Sequence, residues 1–247
     1  MKAYIASPFF NEKQLADTMA VENACISAGW DYYSPRLGTI SKAYGLLKEG
    51  EDPHKIYLYK NMVFAEDIIE IDTSDVVFVN YDGKDSGTLF ELGYALAKNK
   101  MVICSSDDPK VRTEFRKVLT IAKNLNNDFY IGRGVFIAKG EEIVKIRDSA
   151  CPEEDYATVI AEHDGSPYLG LSKILLGIMY AKNESCKITY VDVPRKSNLM
   201  LTSSVEVYEC KDLSIFDDAK YAFNGIEIDL SDKLSQCTPV KESAKDE

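Results

Sequence analysis

Asp85 and Glu91 flank the start of a helical pattern, Asp85-Ser86-Gly87-Thr88-Leu89-Phe90-Glu91-Leu92-Gly93-Tyr94-Ala95. Two carboxylates around one turn suit glycosyl-transfer chemistry: one can attack an anomeric carbon while another holds the sugar or manages the leaving group's proton. The stretch follows Val76-Val77-Phe78-Val79, four β-formers that end in the turn residues Asn80-Tyr81-Asp82-Gly83. That run predicts a buried strand, and Leu89, Leu92 and Leu96 at helical spacing predict the helix after it. The loop between them then lies at the carboxyl end of a strand, where open α/β sheets take their ligands. An enzyme acting on a small molecule is the reading this favours. The same residues also fit a structural role, because Thr88 and Glu91 match the T-x-x-E capping box, in which the Glu only satisfies a free amide at a helix start.

The elements that must position these groups alternate along the first half of the chain. Ala3-Tyr4-Ile5-Ala6 predicts a strand, Ser7-Pro8-Phe9-Phe10 breaks it, and a helix follows over 12–28 until Gly29 stops it. A second strand is expected around Trp30–Pro35, a loop-rich stretch from Arg36 to Pro53, a helix over 55–71, and a strand at Met101–Cys104. Alternation of this kind predicts a parallel, doubly wound sheet flanked by helices. Beyond 106 the pattern changes. A β-hairpin is expected across 129–142, a helix from Leu169 to Ala181, and a strand at Lys187–Val191. The segment Leu175-Leu176-Gly177-Ile178-Met179-Tyr180-Ala181-Lys182-Asn183 weakly echoes the Glu91 helix, with leucine in place of Glu91; chance and a shared helix-packing constraint both remain open. The last residues, from about 230, are polar and aperiodic and read as a flexible tail over 229–247.

Composition removes several classes of function. With 29 basic against 40 acidic residues the net charge is -11, which argues against a nucleic-acid or anionic-membrane partner. No run approaches the roughly 20 apolar residues of a membrane span, and no apolar leader follows Met1-Lys2, so a cytoplasmic address is expected. The six cysteines contain no C-x-x-C pair, and His54 and His163 are far apart, so neither a metal site nor a cofactor is expected.

Four separated segments, taken in order, make the chain resemble the nucleoside 2-deoxyribosyltransferases. They are Tyr4-Ile5-Ala6-Ser7-Pro8-Phe9-Phe10 with Gln14; Asp67 ahead of Ser74-Asp75; Asp85-x-Gly87-x3-Glu91-Leu92-Gly93-Tyr94-Ala95; and Asn198-Leu199-Met200. The resemblance implies a flavodoxin-like α/β fold with an inserted α+β region. The core would comprise 1–106 plus 187–228, and 107–186 would be an insertion serving as a lid or oligomer contact. It also implies exchange of the base of a deoxynucleoside for a free nucleobase through a covalent deoxyribosyl-glutamate. Glu91 would be the nucleophile, Tyr4 its orienting hydroxyl, Asp67 the acid facing the base, and Asp85 the holder of sugar hydroxyls. Phe9 and Phe10 would line the base pocket. Asn198 and Met200 would reach a neighbouring subunit's site in a dimer-based homo-oligomer.

Three departures accompany the resemblance. The family's base-reading glutamine falls near Thr39, so base preference does not carry over. Some 90 residues separate Met101–Cys104 from Asn198. The chain also runs past Phe223-Asn224-Gly225-Ile226-Glu227, so the Glu227 side chain is the candidate replacement for the family's terminal carboxylate. Two other functions stay open: an N-glycoside hydrolase of a deoxynucleoside or deoxynucleotide, and a non-catalytic nucleotide sensor on the same fold. Phosphate recognition would call for a loop rich in glycine, serine and arginine, and Ser7-Pro8-Phe9-Phe10 is not one.

Overall fold

A computed structural model of the 247-residue chain describes residues 1–47, 50–127, 134–139, 142–147, 156–162, 170–182, 187–193, 205–209 and 238–239. Its first half is a four-stranded, wholly parallel sheet. The strands are β1 (Lys2–Ala6), β2 (Asp31–Tyr33), β3 (Val76–Val79) and β4 (Met101–Cys104), in the order β2-β1-β3-β4. The chain leaves β1 toward one side of the sheet for β2 and reaches the other side for β3. The crevice outside the carboxyl ends of β1 and β3 is therefore the topological switch point.

Period-2 alternation in β1 decides which residues face which layer. Ala3 and Ile5 pack with Val21 and Cys25 of helix α1 (Glu12–Ser27), while Tyr4 and Ala6 face the larger core on the other side. That core is built from α3 (Pro53–Thr73), α4 (Ser86–Ala97) and α5 (Pro109–Asn127). Both faces of the sheet are thus covered, as a parallel sheet requires. Asn11 caps α1 by accepting from the Gln14 amide at 3.0 Å, and Asp85 caps α4 by accepting from Thr88 at 2.8 Å. Each such cap contributes about 1 kcal/mol. A bidentate ion pair from Arg36 to the buried Glu22 ties the 3-10 turn Pro35–Leu37 to α1.

The stretch expected as loop between Arg36 and Pro53 contains that turn and a short helix, α2 (Thr39–Gly45). Helix α5 was not expected, although Val111, Phe115, Val118, Ala122 and Leu125 recur at helical spacing along the face that meets the core.

Six further strands form a second sheet: β5 (Gly134–Lys139), β6 (Glu142–Arg147), β7 (Tyr156–Glu162), β8 (Lys187–Val193), β9 (Val205–Glu209) and β10 (Thr238–Pro239). Their order is β10-β9-β8-β7-β5-β6, parallel from β5 through β9 with an antiparallel strand at each edge. The expected hairpin is the β5–β6 pair. The strand expected at Lys187–Val191 is β8, which hydrogen-bonds to β7 on one side and to β9 on the other. Strand β7 reaches its parallel neighbour β8 through α6 (Gly170–Lys182), the kind of crossover a parallel pair requires. The tail expected over 229–247 contains β10, whose Thr238 and Pro239 pair with Glu209 and Tyr208.

Helix α6 is buried on every described side from Leu171 to Met179 and packs along α4. The approach is close because both helices present glycine at the crossing. A Cβ at Gly93 would overlap the Ile174 carbonyl, and one at Gly177 would overlap that of Phe90.

Candidate active site

Tyr4 is the central residue of β1 on the face toward α4, and its hydroxyl donates to Glu91 Oε1 at 2.9 Å across 87 positions of sequence. Glu91 lies in the second turn of α4, and the helix cap is Asp85. The capping-box role is thereby excluded, since Glu91 is beyond the turn whose free amides a cap would serve. Its carboxyl is deep among protein atoms, though part of the residue stays accessible. Asp67 joins the pair from α3. Its neighbours at helical spacing, Phe64, Ile68 and Ile71, belong to the core, so the sequence places a carboxylate in the middle of an apolar stripe. Such a group is expensive to keep charged, and stability alone does not explain it.

The three groups perturb one another. Burial, then the Asp67 charge, push the Glu91 carboxyl well above the usual carboxylate range, while the Tyr4 hydrogen bond opposes the shift. Burial, then Glu66, raise Asp67 from 3.8 to about 7, against hydrogen bonding from Tyr33 and Tyr4. Burial and the neighbouring carboxylates of Asp67 and Glu91 push the Tyr4 hydroxyl up, so it stays protonated and can only donate to a carboxylate. Asp67 and Glu91 therefore titrate as a coupled pair, the charge on each making the other harder to ionise.

Tyr33 and Glu66 belong to the site and were missed from the sequence. Tyr33 ends β2 in register with Tyr4, and the two rings stack at 5.7 Å. Burial, then Asp67, push its hydroxyl up. The Tyr33 hydroxyl, Glu66 Oε2 and Asp67 Oδ1 are buried without a hydrogen bond of good geometry, so polar groups converge on the crevice with capacity to spare. The available signal was positional: Tyr33 is the last residue of the strand beside Tyr4, and Glu66 adjoins Asp67.

The rim is held by hydrogen bonds between loops. Asn80 donates to Ser7 Oγ at 2.8 Å and accepts from Ser105, which pins the ends of β1, β3 and β4 together. Gln14 donates to Asp82 at 3.1 Å and accepts from the Phe10 amide at 3.0 Å. Asp82 in turn accepts from the amides of Lys84 and Asp85, around a turn in which Gly83 takes φ +71. Phe9 and Phe10 stack on each other at 5.4 Å, with Phe9 half-buried and Phe10 75% exposed. A ring that open is free to meet a planar ligand. Asp85 contributes a negative charge within electrostatic reach of Glu91 while one of its oxygens serves the cap. Thr39 begins α2. Asn198, Met200 and Glu227 lie outside the described residues.

Among the described residues no cluster of three His, Cys, Asp or Glu side chains is arranged to hold a metal, and Cys25 and Cys104 are free thiols. No helix among them is long and apolar enough to cross a membrane.

A parallel α/β sheet with a tyrosine-bridged carboxylate pair at its switch point belongs to the class of folds that bind small molecules beyond strand ends. The profile of the nucleoside 2-deoxyribosyltransferases matches residues 3–165, and the chain belongs to that family. At the level of the family it is a transferase of the nucleoside deoxyribosyltransferase kind, which handles nucleosides and nucleobases. The match takes in Tyr4, Asp67, Asp85 and Glu91 and stops before Asn198, Met200 and Glu227. Among solved structures the chain is similar to a 2-deoxyribosyltransferase from Bacillus psychrosaccharolyticus, described as a biocatalyst for the synthesis of antiviral and antitumoral nucleosides. The two are 30% identical over 41% of this chain and 69% of that one, with a TM-score of 0.34. None of the curated proteins compared with the chain matches it.

Proposed function

We infer that the chain exchanges the base of a 2′-deoxynucleoside through a covalent deoxyribosyl intermediate on Glu91, with retention. The observation that carries this reading is the 2.9 Å hydrogen bond from Tyr4 to Glu91 beside the raised carboxyl of Asp67. A shared proton gives each carboxyl a different task. With the proton on Asp67, Glu91 is a carboxylate whose charge is steadied and aimed by the Tyr4 hydroxyl. Its free oxygen attacks C1′, the C1′–N bond breaks with its electron pair passing to the base, and Asp67 delivers the proton to the departing base. The second half reverses this with a new base: its nitrogen attacks C1′, the C1′–O bond to Glu91 breaks, and Asp67 takes the proton. Two inversions give net retention.

The remaining roles follow from position. Asp85, at the mouth of α4, is the group for sugar hydroxyls, and the stacked Phe9 and Phe10 are the apolar wall for the base. Tyr33 and Glu66, with buried polar atoms left over, are further contacts for the nucleoside. No resident cofactor takes part in either half-reaction.

Incubation with deoxyinosine and adenine tests the reading. Appearance of deoxyadenosine is the expected result. Free deoxyribose without exchange would mean a hydrolase, and no turnover with retained binding would mean a sensor; either replaces the transferase reading.

A further inference from the structure

The second sheet echoes the first in strand order: β2-β1-β3-β4 corresponds to β6-β5-β7-β8, with a helix, α4 or α6, in the crossover between the third and fourth strand of each set, while β6 runs antiparallel to β5 where β2 runs parallel to β1. The sequences agree where the topology does. Val76-Val77-Phe78-Val79-Asn80-Tyr81-Asp82-Gly83 aligns with Thr158-Val159-Ile160-Ala161-Glu162-His163-Asp164-Gly165. Leu92-Gly93, Tyr94 or Ala95, and Ala97-Lys98-Asn99 align with Leu176-Gly177, Ile178 or Met179, and Ala181-Lys182-Asn183.

Strand register carries the correspondence to the site. Tyr4 pairs with Val77, and Phe136 pairs with Val159, the residue aligned with Val77; Tyr4 and Phe136 are equivalent positions. Aligned without gaps from Gly93 and Gly177, Glu91 corresponds to Leu175, and Asp85 falls opposite Pro167 or Leu169 at the two-residue offset between the strand and helix alignments. The second unit thus has phenylalanine, leucine and a proline or leucine where the first has Tyr4, Glu91 and Asp85. Nothing at those positions can attack C1′, hold a proton or bind a sugar hydroxyl.

The two units meet through the equivalent helices, and the contact is reciprocal. Gly93 abuts Ile174, three residues before Gly177, and Gly177 abuts Phe90, three residues before Gly93. A contact in which i meets j and j meets i is the signature of a two-fold axis, here between two parts of one chain. Both glycines allow backbone-to-backbone approach, and one aromatic group, Phe90, Tyr94, Tyr180 and Phe64, closes over the junction.

We propose that residues 134–193 are a second, catalytically retired copy of the 2–104 unit, docked on α4 as a built-in partner, so that one chain alone forms one complete working centre. The family resemblance implies sites shared between subunits; on this proposal the partner lies within the chain. The proposal rests on the proposed function for its site, but the helix junction itself can be tested without any activity.

The experiment is denaturant unfolding of the full chain and of Gly177→Ala at several protein concentrations, with base exchange assayed over the same dilutions. An internal junction gives a midpoint independent of protein concentration, a lower but still concentration-independent midpoint for Gly177→Ala, and exchange strictly proportional to chain concentration. A midpoint that rises with protein concentration, a Gly177→Ala midpoint equal to wild type, or exchange per chain that falls on dilution overturns the proposal. If the wild-type chain shows no exchange at any concentration, the transferase reading fails, and the two midpoints alone decide the helix junction.

Discussion

Replacing Asp67 by asparagine should stabilise the folded chain at high pH while removing most of the exchange activity. Asp67 is buried in the apolar stripe of α3 and its carboxyl is raised from 3.8 to about 7, chiefly by burial and then by Glu66. In the unfolded chain it ionises near the ordinary value, so between about pH 4 and pH 7 the folded state binds the extra proton. Stability therefore falls as pH rises through that window, by about 1.4 kcal/mol per pH step for a single group, and the cost above pH 7 reaches about 4 kcal/mol. Asparagine has nearly the same shape and no charge to desolvate, and its removal of the Asp67 charge also relieves Glu91. Hydrogen bonding by Tyr33 and Tyr4 to the lost carboxylate offsets part of the gain. Urea unfolding of wild type and Asp67→Asn at pH 5 and pH 8 measures the difference: wild type should lose about 3 kcal/mol over that interval that the variant does not. An identical pH dependence for both, or a variant less stable at pH 8 than at pH 5 relative to wild type, would refute the reasoning.

Tyr4→Phe removes the hydrogen bond from Tyr4 to the Glu91 carboxylate, worth about 1.5–3 kcal/mol for a charged acceptor, and should lower kcat by about 10- to 100-fold in steady-state exchange assays. The exchange rate against pH should be bell-shaped, declining on the acid side when both Asp67 and Glu91 are protonated and on the basic side when neither is; the Asp67→Asn variant should lose the basic limb along with most activity. Arg36→Ala leaves the buried Glu22 unpaired and should cost about 3 kcal/mol in thermal unfolding without altering KM for the nucleoside. Deleting 231–247 removes β10 from the edge of the second sheet and should lower the unfolding midpoint, in contrast to the dispensable tail that its polar composition suggests.

Much of the first unit was legible because its signals were local. The run Val76–Val79, the turn Asn80–Gly83 and the leucine spacing of α4 fixed a strand, a loop and a helix, and so the place of Glu91. Tyr4 and Asp67 emerged only through the family resemblance; from the residues alone, one is a strand tyrosine and the other a helix charge. Tyr33 and Glu66 stayed hidden because their roles arise from register between β1 and β2 and from the packing of α3, neither of which leaves a periodic mark. The second unit was harder. Its hairpin and α6 were readable, but the pairing of β8 with β7 is decided by tertiary neighbours and leaves no local mark. The echo between α4 and α6 was visible as sequence, yet its meaning depended on the reciprocal glycine contacts.

The central claim is that Glu91 bonds covalently to the deoxyribosyl carbon. Acid-quenching the enzyme with deoxyinosine and no acceptor base, followed by mass spectrometry of its peptides, tests it directly. The account predicts a deoxyribosyl adduct on the peptide containing Glu91, lost on adding adenine before the quench and absent in Glu91→Gln. Exchange that proceeds normally with no adduct, or with the adduct on another residue, would contradict it.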